Sequence, residues 1–154
     1  MGGAVIVMRR VETDERYVGE VLLELFQDER FQRKEYLERT VNVVMDGIKQ
    51  LGITKDERLH ICSGYILSDA RELLDSIGYT VVKKKIVGAT QEFAEKEFVK
   101  SLTRLGVGDE ATVTSMRSFD SFLEWVLEDL DERERFVKTG WSSWSKLREG
   151  VRPE

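Results

Sequence analysis

The sequence contains one cysteine (Cys62), one histidine (His60), one asparagine (Asn42) and one proline (Pro153). A single thiol excludes an internal disulfide and points to the cytoplasm. There are no paired histidines, and no CxxC, HExxH, Walker P-loop or GxSxG stands anywhere in the chain. The lone proline lies at the far end, so no Pro-rich linker divides the sequence, and we find no internal repeat or low-complexity segment. No apolar run approaches the roughly 20 residues of a membrane helix. The run at residues 4–8 is too short for a signal peptide and lacks a charged region before it. Four glutamines and one asparagine set against 34% charged residues form the pattern of a heat-adapted protein. A net charge of −5 argues against a general nucleic-acid coat, while leaving room for local basic patches.

At 154 residues with 41% hydrophobic content, the chain is long enough for one domain with its own core. We expect that domain over residues 1–138. Residues 139–154 would form a tail in which Trp141 and Trp144 pack on the domain or on a partner. The organising stretch is 59–88. Leu59-His60-Ile61-Cys62 reads as a strand, Ser63-Gly64 as a tight turn, Ile66, Ala70, Leu73, Leu74 and Ile77 as a helix stripe, and 79–87 as a second strand. This is a βαβ crossover, which commits a chain to a parallel sheet.

The other segments read as alternating strands and helices. Residues 4–10 are a short apolar run, as a strand buried on both faces would be. Thr13 offers an N-cap, and Val18, Val21, Leu22, Leu25 and Phe26 keep helical spacing to about residue 28. Leu37, Val41, Val44, Ile48 and Leu51 form a second stripe closed by Gly52. Thr90 caps a third, through Phe93, Phe98, Leu102 and Leu105 to Gly106. Residues 110–115 alternate as a fourth strand, and a helix with an acidic outer face follows from Ser118. The order β-α-α-β-α-β-α-(β)-α predicts a three-layer α/β sandwich around a small, mainly parallel sheet of three or four strands.

Ligands of such sheets sit beyond the carboxyl ends of the strands, where helix N-termini offer free N–H groups. Those ends would gather Arg9 and Arg10, then Cys62, Ser63 and Gly64, then Gly88, Ala89, Thr90 and Gln91, and Ser115, Arg117 and Ser118 if the fourth strand forms. Two arginines, hydroxyls and glycine turns at one pole suit an anionic small molecule or nucleotide-like ligand. The same serines and threonines also suit plain N-caps. Gly106-Val107-Gly108-Asp109-Glu110-Ala111 spells a dinucleotide fingerprint, but a helix precedes it, the wrong context for pyrophosphate. Cys62 reads as a buried small core residue in preference to a nucleophile, and His60 as a packed, hydrogen-bonded one. Lys83, Lys84 and Lys85 either protect a sheet edge, the favoured reading, or reach phosphates.

Asp69 and Glu92 fall near the first turns of successive helices. With Glu12 or Asp14 they would supply carboxylates for Mg²⁺ and phosphodiester cleavage. The order of strand, long helix, strand, helix, strand, helix resembles the C-terminal part of ribonuclease H-like nucleases, which implies a metal-dependent nuclease. It departs from that family in having no acid within residues 4–8 and no hairpin preceding that strand. Three function classes therefore stand: an anion- or nucleotide-binding protein, which leads; a Mg²⁺-dependent nuclease or phosphohydrolase; and a non-catalytic subunit working through its tail and acidic helix, with a homodimer as the simplest assembly.

Overall fold

The computed structural model describes residues 1–116 and 118–150. The chain opens with a hairpin. Strand β1 (Ala4–Arg9) pairs antiparallel with β2 (Arg16–Val21), in a register that sets Ala4 opposite Val21, Ile6 opposite Gly19 and Met8 opposite Tyr17. Asp14 turns the chain at φ 60°, and its carboxylate accepts hydrogen bonds from Arg9 and Arg16 on the two strands it joins. The helix expected from Thr13 to about residue 28 is therefore this second strand followed by a 3-10 turn, Leu23–Phe26. Spacing alone admitted both forms. Tyr17, Gly19 and Val21 alternate while Val18, Val21, Leu22 and Leu25 keep helical intervals, and pairing with β1 decides between them.

Helix α1 (Asp28–Gln32) is short, and α2 (Glu35–Gln50) is the central element. Its buried residues, Tyr36, Leu37, Thr40, Val43, Val44, Gly47 and Ile48, recur at intervals of one, three and four, a stripe wide enough to face two partners. On one side lies the hairpin, where a side chain on Gly19 would meet Val43 and one on Gly47 would meet Met8 and Tyr17. On the other, α2 shares a core with Ala70 and Leu74 and with Leu59, Ile61 and Val81. The second face of the hairpin is covered by α4 (Ala89–Leu105): Phe93 lies under the Arg16 guanidinium at 4.7 Å, and Arg104 pairs with Glu20. The hairpin is thus the middle of three layers.

Strand β3 (Arg58–Ile61), helix α3 (Ser68–Ser76) and strand β4 (Thr80–Lys83) form the expected parallel crossover, with Leu59 opposite Val81 and Ile61 opposite Lys83. The second strand stops at Lys83, short of Val87. Among the described residues the strands form two separate two-stranded sheets, one antiparallel and one parallel, so the single parallel sheet of three or four strands is corrected. The ribonuclease H-like arrangement is not reproduced either, although a hairpin does precede the crossover. Residues 110–115, expected as a strand, are helix α5 (Glu110–Ser115), because the Asp109 carboxylate accepts from the Thr112 N–H and starts a helical turn.

Helices α6 (Phe119–Glu128), α7 (Leu130–Arg133) and α8 (Ser142–Glu149) complete the chain. Ser118 caps α6 as expected, through the Ser121 N–H. Leu102, Val113, Met116 and Phe136 form one apolar cluster, and Val126, Val137 and Trp144 another. Trp144 is buried, whereas Trp141 is half-buried and edge-on to Phe119. No described helix is long and apolar enough to cross a membrane.

Candidate functional site at the carboxyl end of the parallel strands

Because β3 and β4 run the same way, and the Lys84 N–H bonds to the Ile61 carbonyl at 2.9 Å, the segments that follow them leave the sheet side by side. The loop after β3 is pinned by the next helix. Arg71 Nη1 donates to the carbonyls of Cys62 (2.6 Å) and Gly64 (2.9 Å), and the Cys62 sulfur accepts from the Gly64 N–H at 3.5 Å. Ser63 is left exposed in this loop, and Tyr65 is exposed two residues on.

Facing Tyr65 is Lys34, the residue before α2, in the left-handed conformation at φ 56°, ψ 33°. Its Nζ donates to the Tyr65 hydroxyl at 3.1 Å and lies 5.9 Å from the ring centroid. The hydrogen bond to Tyr65 holds the Lys34 pKa above its usual value, with Tyr36 and Asp69 reinforcing the shift. Burial raises the Tyr36 phenol, and Tyr65 and Asp69 act in the same direction. Lys34 and Tyr65 are thus in contact, and Tyr36 and Asp69 are close enough to act on them electrostatically.

From Lys34 and Tyr36 a cleft of about 630 Å³ runs past Phe31 and Asp28 to Thr139 and Trp141. A second, of about 580 Å³, shares Asp28, Thr139 and Ser145 with it and continues to Glu134, Arg135, Arg148 and Trp144. Tyr36 stacks on Phe26 and Phe31 at 5.1 and 5.2 Å, which fixes the aromatic wall. Asp28, at φ 50°, and Lys34 bracket α1; both are non-glycine residues in left-handed backbone, and both line the cleft. Backbone held in such unfavourable regions concentrates at ligand sites.

The predicted residues divide between two ends of the molecule. Ser63 and Gly64 are in the loop that leads to Tyr65, the residue Lys34 bonds. Arg9 is engaged by Asp14, and Arg10 by Glu15, Glu57 and the Leu51 carbonyl. Glu57 directly precedes β3, so Arg10 stands at the amino end of the strand whose carboxyl end leads to Ser63. The cause is the pairing of β1 with β2 in place of β3. Gly88, at φ 73°, is itself the cap of α4, so Thr90 does not fill that role; Gln91 bonds Glu95, and Phe93 lies against Arg16 near the hairpin tip. Among the described residues, Gly88, Thr90 and Gln91 make no hydrogen bond or ion pair with Ser63. Arg117 lies outside the described residues.

Cys62 and His60, expected inside, are both exposed, because nothing described covers the outer face of the two-stranded sheet. Asp69 is exposed in the first turn of α3, and Glu92 is in the first turn of α4. Asp14 is held by Arg9 and Arg16, and among the described residues no three His, Cys, Asp or Glu side chains are grouped to hold a metal ion. Lys34, Tyr36, Tyr65 and Asp28 were not foreseen. Their only sequence signal was the charged break before α2, Gln32-Arg33-Lys34-Glu35, and a tyrosine directly after Ser63-Gly64.

The chain matches no protein-family model, no curated protein and no solved structure.

Proposed function

We propose that this protein binds an anionic, nucleotide-like small molecule in the cleft that opens at the carboxyl end of β3 and β4. Phosphate oxygens would meet Lys34, the Ser63 hydroxyl and the Tyr65 hydroxyl, and a ring would lie toward Phe31, Tyr36 and Trp141. The reading rests on one observation above the others: Lys34 is kept in an unfavourable backbone conformation at the mouth of an aromatic-walled cleft, with its ammonium group oriented by Tyr65. A lysine with no role beyond solubility has no reason to occupy that position, where glycine would sit without strain.

A ligand that binds only the folded chain raises its melting temperature, by about 2.7 kcal/mol of stabilisation at 100 times Kd. Thermal unfolding is measured with AMP, ATP and inorganic phosphate, each with and without Mg²⁺. At least one nucleotide is expected to shift the midpoint, phosphate alone less so. Lys34→Ala is expected to abolish the shift and Arg9→Ala to preserve it. A shift that needs Mg²⁺ and disappears in Asp69→Asn would favour the phosphohydrolase reading instead, and no shift with any compound would reject the binding site.

A further inference from the structure

The hairpin has a free edge. The Arg10 N–H bonds the Glu15 carbonyl at 2.9 Å, so Met8–Tyr17, Ile6–Gly19 and Ala4–Val21 are the hydrogen-bonded pairs along the ladder. Arg16, Val18 and Glu20 therefore turn their N–H and C=O groups away from β1, and among the described residues no hydrogen bond takes up those groups. Their side chains share the face toward α4, as the Arg16–Phe93 and Glu20–Arg104 contacts show. Val18 stands between them, 36% exposed, whereas every residue of β1 is buried or half-buried. The parallel pair offers a poorer edge. Its strands have four residues each, and β4 ends in Lys83, followed by Lys84 and Lys85, a run of one sign that keeps two copies of that edge apart.

We propose that this edge of β2 pairs with the same edge of a second copy of the chain, antiparallel about a two-fold axis at Val18, giving one four-stranded sheet in the order β1-β2-β2-β1. Unpaired ladder groups select an extended strand as the occupant, and the charges select which strand. With Val18 opposite Val18, Arg16 of each copy faces Glu20 of the other, and the two valines exchange both ladder bonds. Arg16 already bonds Asp14 and Glu20 already pairs with Arg104, so the string Asp14, Arg16, Glu20, Arg104 alternates in sign across the interface. On the other face Tyr17 comes to lie opposite Gly19 of the second copy, and an aromatic ring over a glycine is a favourable cross-strand pair. Neighbouring registers lose this match. Centred on Gly19, Arg16 faces Leu22 and Val18 faces Glu20; centred on Tyr17, Glu20 faces Asp14. An edge with charges of one sign repels its copy, whereas this one carries both signs, evenly spaced about an apolar centre. The interface uses no residue of the cleft.

Sedimentation equilibrium of the full chain, from about 1 to about 200 µM, tests it. A concentration-dependent monomer–dimer equilibrium is expected. Arg16→Glu and Glu20→Arg, each alone, put like charges opposite one another on both sides of Val18 and should raise the dimer Kd at least about tenfold. In an equimolar mixture of the two variants each introduced charge meets its opposite, so the mixture should associate about as well as the parent chain. Val18→Pro removes a donor from the free edge alone and should abolish the dimer. Val18→Lys supplies the same reading if the proline variant does not fold. Lys83→Glu, on the edge of the other sheet, should leave association unchanged. A chain that is monomeric throughout, a dimer that the Val18 variants leave intact, or a mixture no better associated than either variant alone would overturn the proposal.

Discussion

Arg10 Nε donates to Glu57 Oε1 at 2.7 Å, and its Nη2 to the Leu51 carbonyl at 2.9 Å, so one side chain ties the end of β1 to the last turn of α2 and the start of β3. Glu57 also accepts from the Thr54 N–H at 2.7 Å. The hydrogen bond from Arg10, followed by that from Thr54, holds its carboxyl below the ordinary glutamate range. A carboxylate with a depressed folded-state pKa stabilises the fold above its unfolded value, near 4.3, and that contribution is lost as pH falls through the folded value. Glu57→Gln is therefore expected to lower the urea midpoint at pH 7. The gap between variant and parent should close as pH drops below about 4. A gap that persists unchanged at pH 3 would show that charge at Glu57 contributes nothing.

Gly47 sits inside the last turn of α2, where alanine ordinarily gains up to about 1 kcal/mol. Here an added Cβ would stand 2.5 Å from the Met8 sulfur and 2.7 Å from Tyr17 Cδ1. Overpacking of that kind costs about 1–3 kcal/mol. Gly47→Ala should thus be net destabilising in urea unfolding, and Met8→Ala in the same chain should recover part of the loss. Gly52→Ala provides the contrast. At φ +60° with open space around it, its cost comes from backbone strain and Met8→Ala should not relieve it.

Lys34 separates strain from function. Lys34→Ala and Lys34→Gly both remove the ammonium group, and both should lose the nucleotide-induced thermal shift. Only glycine accepts φ 56° freely, so Lys34→Gly should melt at the higher temperature of the two. Equal melting temperatures would mean that the left-handed turn stores no strain.

Gly140 donates its N–H to the Phe26 carbonyl at 3.0 Å, and a Cβ there would lie 2.2 Å from Phe31 Cβ. Gly140→Ala should push the segment before α8 away from α1, destabilising the chain by up to about 3 kcal/mol. Hydrogen exchange is expected to speed up in α8 before it does in α2, with loss of the nucleotide response. Unchanged exchange in α8 would show that the close approach does not hold that helix.

Much of this architecture was readable from residues alone. The crossover over 59–83 follows from β-branched strands punctuated by Ser63-Gly64 and Gly78, and α2 and α4 from their apolar stripes. Strand β2 was illegible because Val18, Val21 and Leu22 satisfy two periodicities, and only a long-range partner, β1, selects one. Helix α5 was misread because six residues are too few for a period to outweigh one capping aspartate. Near the candidate site, the turn at Ser63 and Gly64 was legible because the end of a strand is a local signal. Lys34, Tyr36 and Asp28 were not, since their roles come from left-handed backbone and from packing against residues about 100 positions onward, which no short motif encodes. Arg10 was placed at the wrong pole by the same missing pairing that hid β2.

The hairpin and the parallel pair share no ladder hydrogen bond among the described residues, and α2 is packed against both. Each two-stranded ribbon alone would be marginal in water. Calorimetry should accordingly record residues 4–83 melting as one cooperative unit, because loss of α2 removes the support of both ribbons together. The clusters around Phe136 and Trp144 are distinct from that core, so a second, separable heat-absorption peak would belong to them.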